Sequence, residues 1–243
     1  AMTVERAEAM RENGYVGWAN AVPADRVRRA VHLINRDIGE KGIDPAQIPA
    51  FENTSYCPDL RDHQDILALF NGTSLQAQAE HWLGPLAPAA RAQIALRFPR
   101  PDRPPNGPHL DGVAAPHNGL AAGTIKTFSL LACVYLSKVL ADGGALNVWP
   151  GSHLRHAEYF AEHGPKSLLS GMPPVTEAEP PVALTGGAGH GFLVHYLTGH
   201  AVGSHFGANL RYAVFFRLRT IDHAERGMQT MTDPWLEWRA RSE

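Results

Sequence analysis

The feature that most constrains this chain is a change of hydrophobic period near residue 90. Before it, apolar residues recur at helical spacing. Val27, Ala30, Val31, Ile34 and Ile38 form one face of an amphipathic helix lying between Pro23 and the glycines Gly39 and Gly42. Thr73 with Gln76 matches a capping box, and Leu75, Ala79, Trp82 and Leu83 extend a second apolar face until Gly84-Pro85 ends it. Between these helices, residues 48–56 have no clear period and read as an irregular surface loop. The first eighty residues are thus expected to be helical with one short extended interruption.

After residue 90 the chain turns to short extended segments punctuated by Pro and Gly. Residues 94–98, 108–112, 127–136, 145–149, 191–196 and 211–218 read as strands, with turn-rich stretches at 100–107 and 184–191. Many strands with irregular connections point to a closed or two-sheet antiparallel barrel, not to a doubly wound sheet. With no internal repeat, low-complexity tract or linker, the expectation is one domain over 1–243. A mainly helical layer at 3–89 joins a strand-rich core at 90–219, and a tail at 220–243 is expected to be helical.

At 243 residues with 44% hydrophobic content the chain can bury one sizeable core. Its net charge of -2 offers no electrostatic attraction to nucleic acid or to an anionic membrane, so neither is an expected partner. The longest apolar run, 128–136, is too short to span a bilayer as a helix. Ala1 before Met2 reads as a remnant of tag removal, and the charged stretch that follows lacks the apolar run of a secretory signal. Cys57 and Cys133 are too few for a disulfide framework and read as small buried hydrophobes, so a reducing cytoplasm is the expected location.

Against that background the histidines carry the chemistry. Two imidazoles and one carboxylate are a standard ligand set for catalytic non-haem iron. With 13 histidines an H-x-D pair is nearly expected by chance, and His63-Gln64-Asp65 is such a pair. It sits where Ile66, Leu67 and Phe70 read as helix, and residues two apart on a helix do not face each other. His109-Leu110-Asp111 reads as strand, where residues two apart share a face and both side chains can chelate one ion. For a second imidazole, His190, His195, His200 and His205 all lie downstream, and alternation alone does not choose among them. Arg211 would call for a carboxylate or phosphate if it points inward, and otherwise reads as an edge arginine.

These residues, taken in order, resemble the phytanoyl-CoA dioxygenase-like group of Fe(II)/2-oxoglutarate-dependent oxygenases, most clearly over about 90–219. His109-Leu110-Asp111 matches the group's H-x-D pair, and the run 143–153 matches its G-x-L-x-V-x-P-G-S-H segment, with His156 where a further histidine often stands. His200 and Arg211 match the distal ligand and the 2-oxoglutarate-binding arginine at the group's spacing. There are departures: Pro108 replaces a common Trp, His205 a usual Asn, and Val202 a small hydroxyl residue that assists the cosubstrate, for which Thr127 is the substitute candidate. The P-G-S-H segment has a structural role by this reading, with Ser152 as a helix cap, so His153 is not an expected ligand.

The resemblance implies a mainly β, cupin-like double-stranded β-helix (a jelly roll) with the N-terminal helical layer packed on the barrel. It also implies a metal site of His109, Asp111 and His200, which are the catalytic residues, and a cosubstrate site of Arg211 and Thr127. The implied cofactors are Fe(II), 2-oxoglutarate and O2. The implied reaction is hydroxylation, or oxidative desaturation or cyclisation, of a small molecule with release of succinate and CO2. Related halogenases replace the carboxylate with a small noncoordinating residue, so an intact Asp111 implies hydroxylation over chlorination. Two other readings use the same residues: a zinc or manganese hydrolase or isomerase, and a noncatalytic metal- or ligand-binding barrel. The glycines at 186–191 precede a strand-like run and lack dinucleotide spacing, which makes them a loop; Trp149 reads as packing and His117 as a solvated loop residue.

Overall fold

The computed structural model describes residues 4–115 and 118–239. Its first part comprises α1 (Val4–Asn13), a short strand β1 (Tyr15–Trp18), α2 (Ala24–Lys41), α3 (Ile48–Asn53), α4 (Gln64–Leu67) and α5 (Ser74–Leu83). Then follow β2 (Gln93–Arg97), β3 (Leu130–Tyr135), β4 (Leu146–Val148), α6 (Ser152–His163), β5 (Val182–Leu184), β6 (Gly191–His195), β7 (His200–Val202), β8 (Arg211–Leu218) and α7 (His223–Arg226).

The strands form two antiparallel sheets. The larger runs in the order β1-β6-β3-β8-β2, and the smaller in the order β5-β4-β7. β3 lies at the centre of the larger sheet and is buried along its whole length, which accounts for its continuous apolar run. Its side chains alternate between two cores. Leu130, Ala132 and Val134 face the helices, meeting Ile34, Ile66, Leu75 and Trp82, whereas Leu131, Cys133 and Tyr135 face Leu146, Val148 and Leu184 of the smaller sheet. β8 alternates likewise: Val214, Phe216 and Leu218 face the helices, and Ala213 and Phe215 face the second sheet. Arg211 and Arg217 share the parity of Ala213 and Phe215, so both arginines belong to the inner face. Both cysteines are free and buried.

Several local expectations are revised. Residues 48–53 are helical, with Pro49 tolerated in the first turn because no intrahelical N–H is needed there. α2 continues through Gly39 and stops at Gly42, which has a φ of 72° and returns its N–H to Ile38 O. α5 begins as expected, but the Thr73 hydroxyl donates to Phe70 O at 2.6 Å, and the Gln76 side chain accepts from Gly72 N at 2.7 Å, so no capping box forms. The strand expected at 108–112 reduces to a bridge between His109 and His200. The tail holds only α7 and a 3-10 turn over 227–231 among its described residues, not a long helix. No helix is long and apolar enough to cross a membrane, among the described residues.

Candidate metal centre

The site is assembled by one backbone pairing. His109 N donates to His200 O at 3.0 Å and His200 N donates to His109 O at 3.2 Å, a hydrogen-bonded antiparallel pair that sets the two side chains on one face. That face points inward, because His200 is in register with the buried Val148. The imidazole centroids are 4.5 Å apart. Asp111, two residues after His109, brings Oδ1 to 3.4 Å from His109 Nε2 and 3.6 Å from His200 Nε2. The three groups can offer ligand atoms lying within 4.8 Å of one another, the one such metal-ligating cluster among the described residues. Ligands about 2.1 Å from an ion stand about 3 Å apart when cis, so this spacing needs only a small contraction to hold a metal.

Neighbouring groups prepare each donor. His200 Nδ1 donates to Thr198 O at 3.1 Å, which leaves the Nε2 lone pair facing Asp111. Asp111 Oδ2 is held by Arg217 Nε at 2.9 Å and Nη2 at 2.8 Å, and Arg217 Nη1 donates to Gln93 Oε1 at 2.9 Å. Burial alone would raise the Asp111 carboxyl, but the Arg217 guanidinium bound to it holds it well below the usual carboxylate range. Gly112, at a φ of 89°, turns the chain away from the site; a Cβ there would collide with the Lys126 carbonyl oxygen.

Arg211 is 2% exposed and has no carboxylate partner among the described residues. Its Nη1 donates to Gly144 O at 2.8 Å and its Nη2 to Ala95 O at 3.1 Å, while Nε has no partner among the described residues. Burial and the neighbouring Arg97, its register partner on β2, lower it to about 10. Arg97 lines the cleft that also holds His109, Asp111 and His200. A buried guanidinium satisfied only by carbonyls is costly, and an anion at its free edge would offset that cost. His205 stands over Gly144 and is buried.

The remaining sequence candidates lie elsewhere. Thr127 does not join the constellation: its hydroxyl lies 2.9 Å from His223 Nε2 and donates to Gly227 O at 3.3 Å, and His223 Nδ1 is 2.9 Å from Glu237 Oε1. The competing hydrogen bonds of the C-terminal segment are the physical reason. His63 caps α4 by accepting from Asp65 N at 3.2 Å. His195 Nε2 bonds Pro234 O at 2.7 Å, and His190 stacks on Phe192. His153 lies 3.0 Å from Arg11 O, away from the triad, and Trp149 is buried. His117 lies outside the described residues.

Ser152 is the first residue of α6 and not its cap; its hydroxyl donates to Trp149 O at 2.6 Å and accepts from Gly199 N at 2.9 Å. The P-G-S-H turn therefore pins the residue preceding His200. Arg217 and Gln93 were not anticipated as site residues, although the parity Arg217 shares with Arg211 was available in the alternation of β8.

No protein-family model matches the sequence, and no curated protein matches it. Solved structures do match. The non-haem alpha-ketoglutarate-dependent carbocyclase SnoK from nogalamycin biosynthesis is 19% identical, covering 90% of this chain and 84% of its own, with a TM-score of 0.63. The epimerase SnoN from the same biosynthesis is 20% identical over 89% of this chain and 80% of its own, with a TM-score of 0.62. HygX from Streptomyces hygroscopicus, crystallised with nickel and 2-oxoglutarate, is 13% identical over 91% of this chain and 88% of its own, with a TM-score of 0.61. At these identities the likeness is one of fold, and this chain shares its fold with these three proteins.

Proposed function

We propose that this chain is a non-haem Fe(II)- and 2-oxoglutarate-dependent dioxygenase acting on a small molecule, built on a double-stranded β-helix and related to the phytanoyl-CoA dioxygenase-like group. The observation that carries this reading is the convergence of His109, Asp111 and His200 on the inner face that also bears the buried Arg211, which pairs with no carboxylate among the described residues. Two neutral imidazoles and one carboxylate suit Fe(II) and leave positions open for other ligands. The unpartnered Arg211 Nε suits the far carboxylate of 2-oxoglutarate, and Arg97 adds positive charge beside it.

When bound, iron, 2-oxoglutarate and O2 supply the oxidising power for attack on a C–H bond, with succinate and CO2 released. The protein's part is to hold and orient. Arg217 keeps Asp111 anionic and fixes Oδ2, so that Oδ1 is the oxygen offered beside the imidazoles. Thr198 O fixes the His200 ring and its tautomer. The cavity beside the triad, about 350 Å³, lies in the range of small-ligand sites. Because Asp111 is a carboxylate and not a small noncoordinating residue, oxygenation or another C–H oxidation is proposed over halogenation.

The test is succinate formation from 2-oxoglutarate in air with Fe(II), compared across Fe(II), Zn(II) and Mn(II). Turnover with Fe(II) alone is the expected result. Metal-dependent hydrolysis without consumption of 2-oxoglutarate would favour the zinc or manganese reading instead.

A further inference from the structure

We propose that the substrate carries an oxyanion, a carboxylate, sulfate or phosphate group, which docks on Arg61, Lys126 and Arg219 at the end of the cleft away from Arg211. This rests on reading the triad as the reaction centre.

Beyond the triad the cleft continues into a space lined by Arg61, Lys126, Arg217 and Arg219, and the two parts share Gln93, Asp111, Gly112 and Arg217. The acids of the cleft are already paired. Asp111 is bound to Arg217, and Glu52 accepts from Arg103 at 2.9 Å. In this outer part of the cleft three cations then remain without an anionic partner among the described residues. Arg61 anchors its Nε on Ala92 O at 2.8 Å, and Arg219 its Nε on Thr127 O at 3.3 Å. Among the described residues no hydrogen bond engages the Nη atoms of either, so each presents the free edge of a guanidinium fixed by its Nε. Lys126 is exposed and its ammonium has no partner among the described residues.

The electrostatics agree with a site for an anion. Burial lowers both Arg61 and Arg219, and the nearby Arg217 lowers each further. The positive character is local, since the whole chain carries a net charge of -2. A cleft lined by one sign of charge concentrates field and attracts counter-charged ligands. Planar guanidiniums match an oxyanion in geometry as well as in charge.

Strand geometry separates this site from the cosubstrate's. Arg211 and Arg217 share the inner face of β8 but stand six residues apart, roughly 20 Å along the strand. A five-carbon diacid held at Arg211 cannot also occupy Arg219. The second anion site is therefore left for the substrate, with the triad accessible from it.

Inorganic phosphate is a suitable probe. Protein holding saturating 2-oxoglutarate and Mn(II) is titrated with phosphate, followed by calorimetry and by the phosphorus NMR linewidth. The expected result is one bound phosphate, broadened by Mn(II), with affinity at least tenfold weaker in the Arg61→Gln/Arg219→Gln protein and at least threefold weaker in Lys126→Glu. The Lys126 substitution alters an exposed side chain and leaves the cores intact, so it decides the matter even if the double variant folds poorly. Phosphate affinity within twofold of wild type in all folded variants, or no phosphate binding to wild type, would overturn the proposal. Failure of Mn(II) or 2-oxoglutarate to bind would instead count against the proposed function; phosphate calorimetry on the metal-free protein would still report the anion site, by the same comparison of variants.

Discussion

Asp111 divides its carboxylate between two neighbours: Oδ2 is bound by Arg217 at 2.8 and 2.9 Å, and Oδ1 stands 3.4 Å from His109 Nε2 and 3.6 Å from His200 Nε2. One oxygen is thus fixed and the other is free for a metal. Loss of such an outer partner typically weakens metal binding about 10–100-fold. Arg217→Met is expected to lower Co(II) or Fe(II) affinity by that factor, with Arg217→Lys recovering part of it. Equal metal affinity in wild type and Arg217→Met, measured by competition with a chelating dye, would contradict this role.

Arg211 is forked between the carbonyls of Gly144 and Ala95, and its remaining Nε edge is unpartnered. Lysine carries the same charge but cannot reproduce that fork. Arg211→Lys is expected to weaken 2-oxoglutarate binding to the Ni(II)-loaded protein by at least tenfold, while leaving Ni(II) affinity within about threefold. Calorimetry reads both quantities on the same preparation.

The loop before His200 rests on buried histidines. Burial lowers His153 to about 3, and His156 and His195 to about 4. His156 Nδ1 donates to Leu197 O at 2.7 Å, and His195 Nδ1 accepts from Leu197 N at 3.0 Å. These rings are neutral in the folded state and titrate near 6.5 when unfolded, so between about pH 4 and 6.5 the unfolded chain binds more protons. Their contribution to stability is fully present above about pH 6.5 and falls as pH drops, by about 1.4 kcal/mol per pH unit for each ring. Urea midpoints are expected to decline steeply from pH 6.5 to 5. A flat profile over that range would contradict the assignment.

Ser152 ties the P-G-S-H turn to Gly199 through a hydroxyl that both donates and accepts. Ser152→Ala leaves the buried Gly199 N–H unpaired, which costs about 1–3 kcal/mol. Chemical denaturation should show that loss, together with weaker metal binding because Gly199 precedes His200.

Much of this was legible in the sequence, and the rest was hidden for identifiable reasons. β8 spans 211–218 as its alternation predicts, and the helical face of Val27, Ala30 and Ile34 packs as its spacing predicts. β5 and β7 are three residues each, too short for a period, and β5 begins at an exposed Val182. The choice of His200 among four neighbouring histidines came from family spacing; the geometry rests on its register with Val148 and His109, which alternation alone does not reveal. Thr127 looked available because nothing local announces a histidine 96 residues away that takes its hydroxyl. Arg217 was overlooked because an arginine near a strand end has an ordinary solvent-facing reading, even though its parity with Arg211 turns it inward.

His109, Asp111 and His200 are proposed to hold an iron that turns over 2-oxoglutarate. Succinate release from 2-oxoglutarate with Fe(II) in air, in the wild type beside Asp111→Ala, tests it most directly. Oxygen-dependent succinate above background is expected in the wild type and none in Asp111→Ala. Equal succinate in both proteins, or none in a wild type that has bound Fe(II) and 2-oxoglutarate, would contradict it.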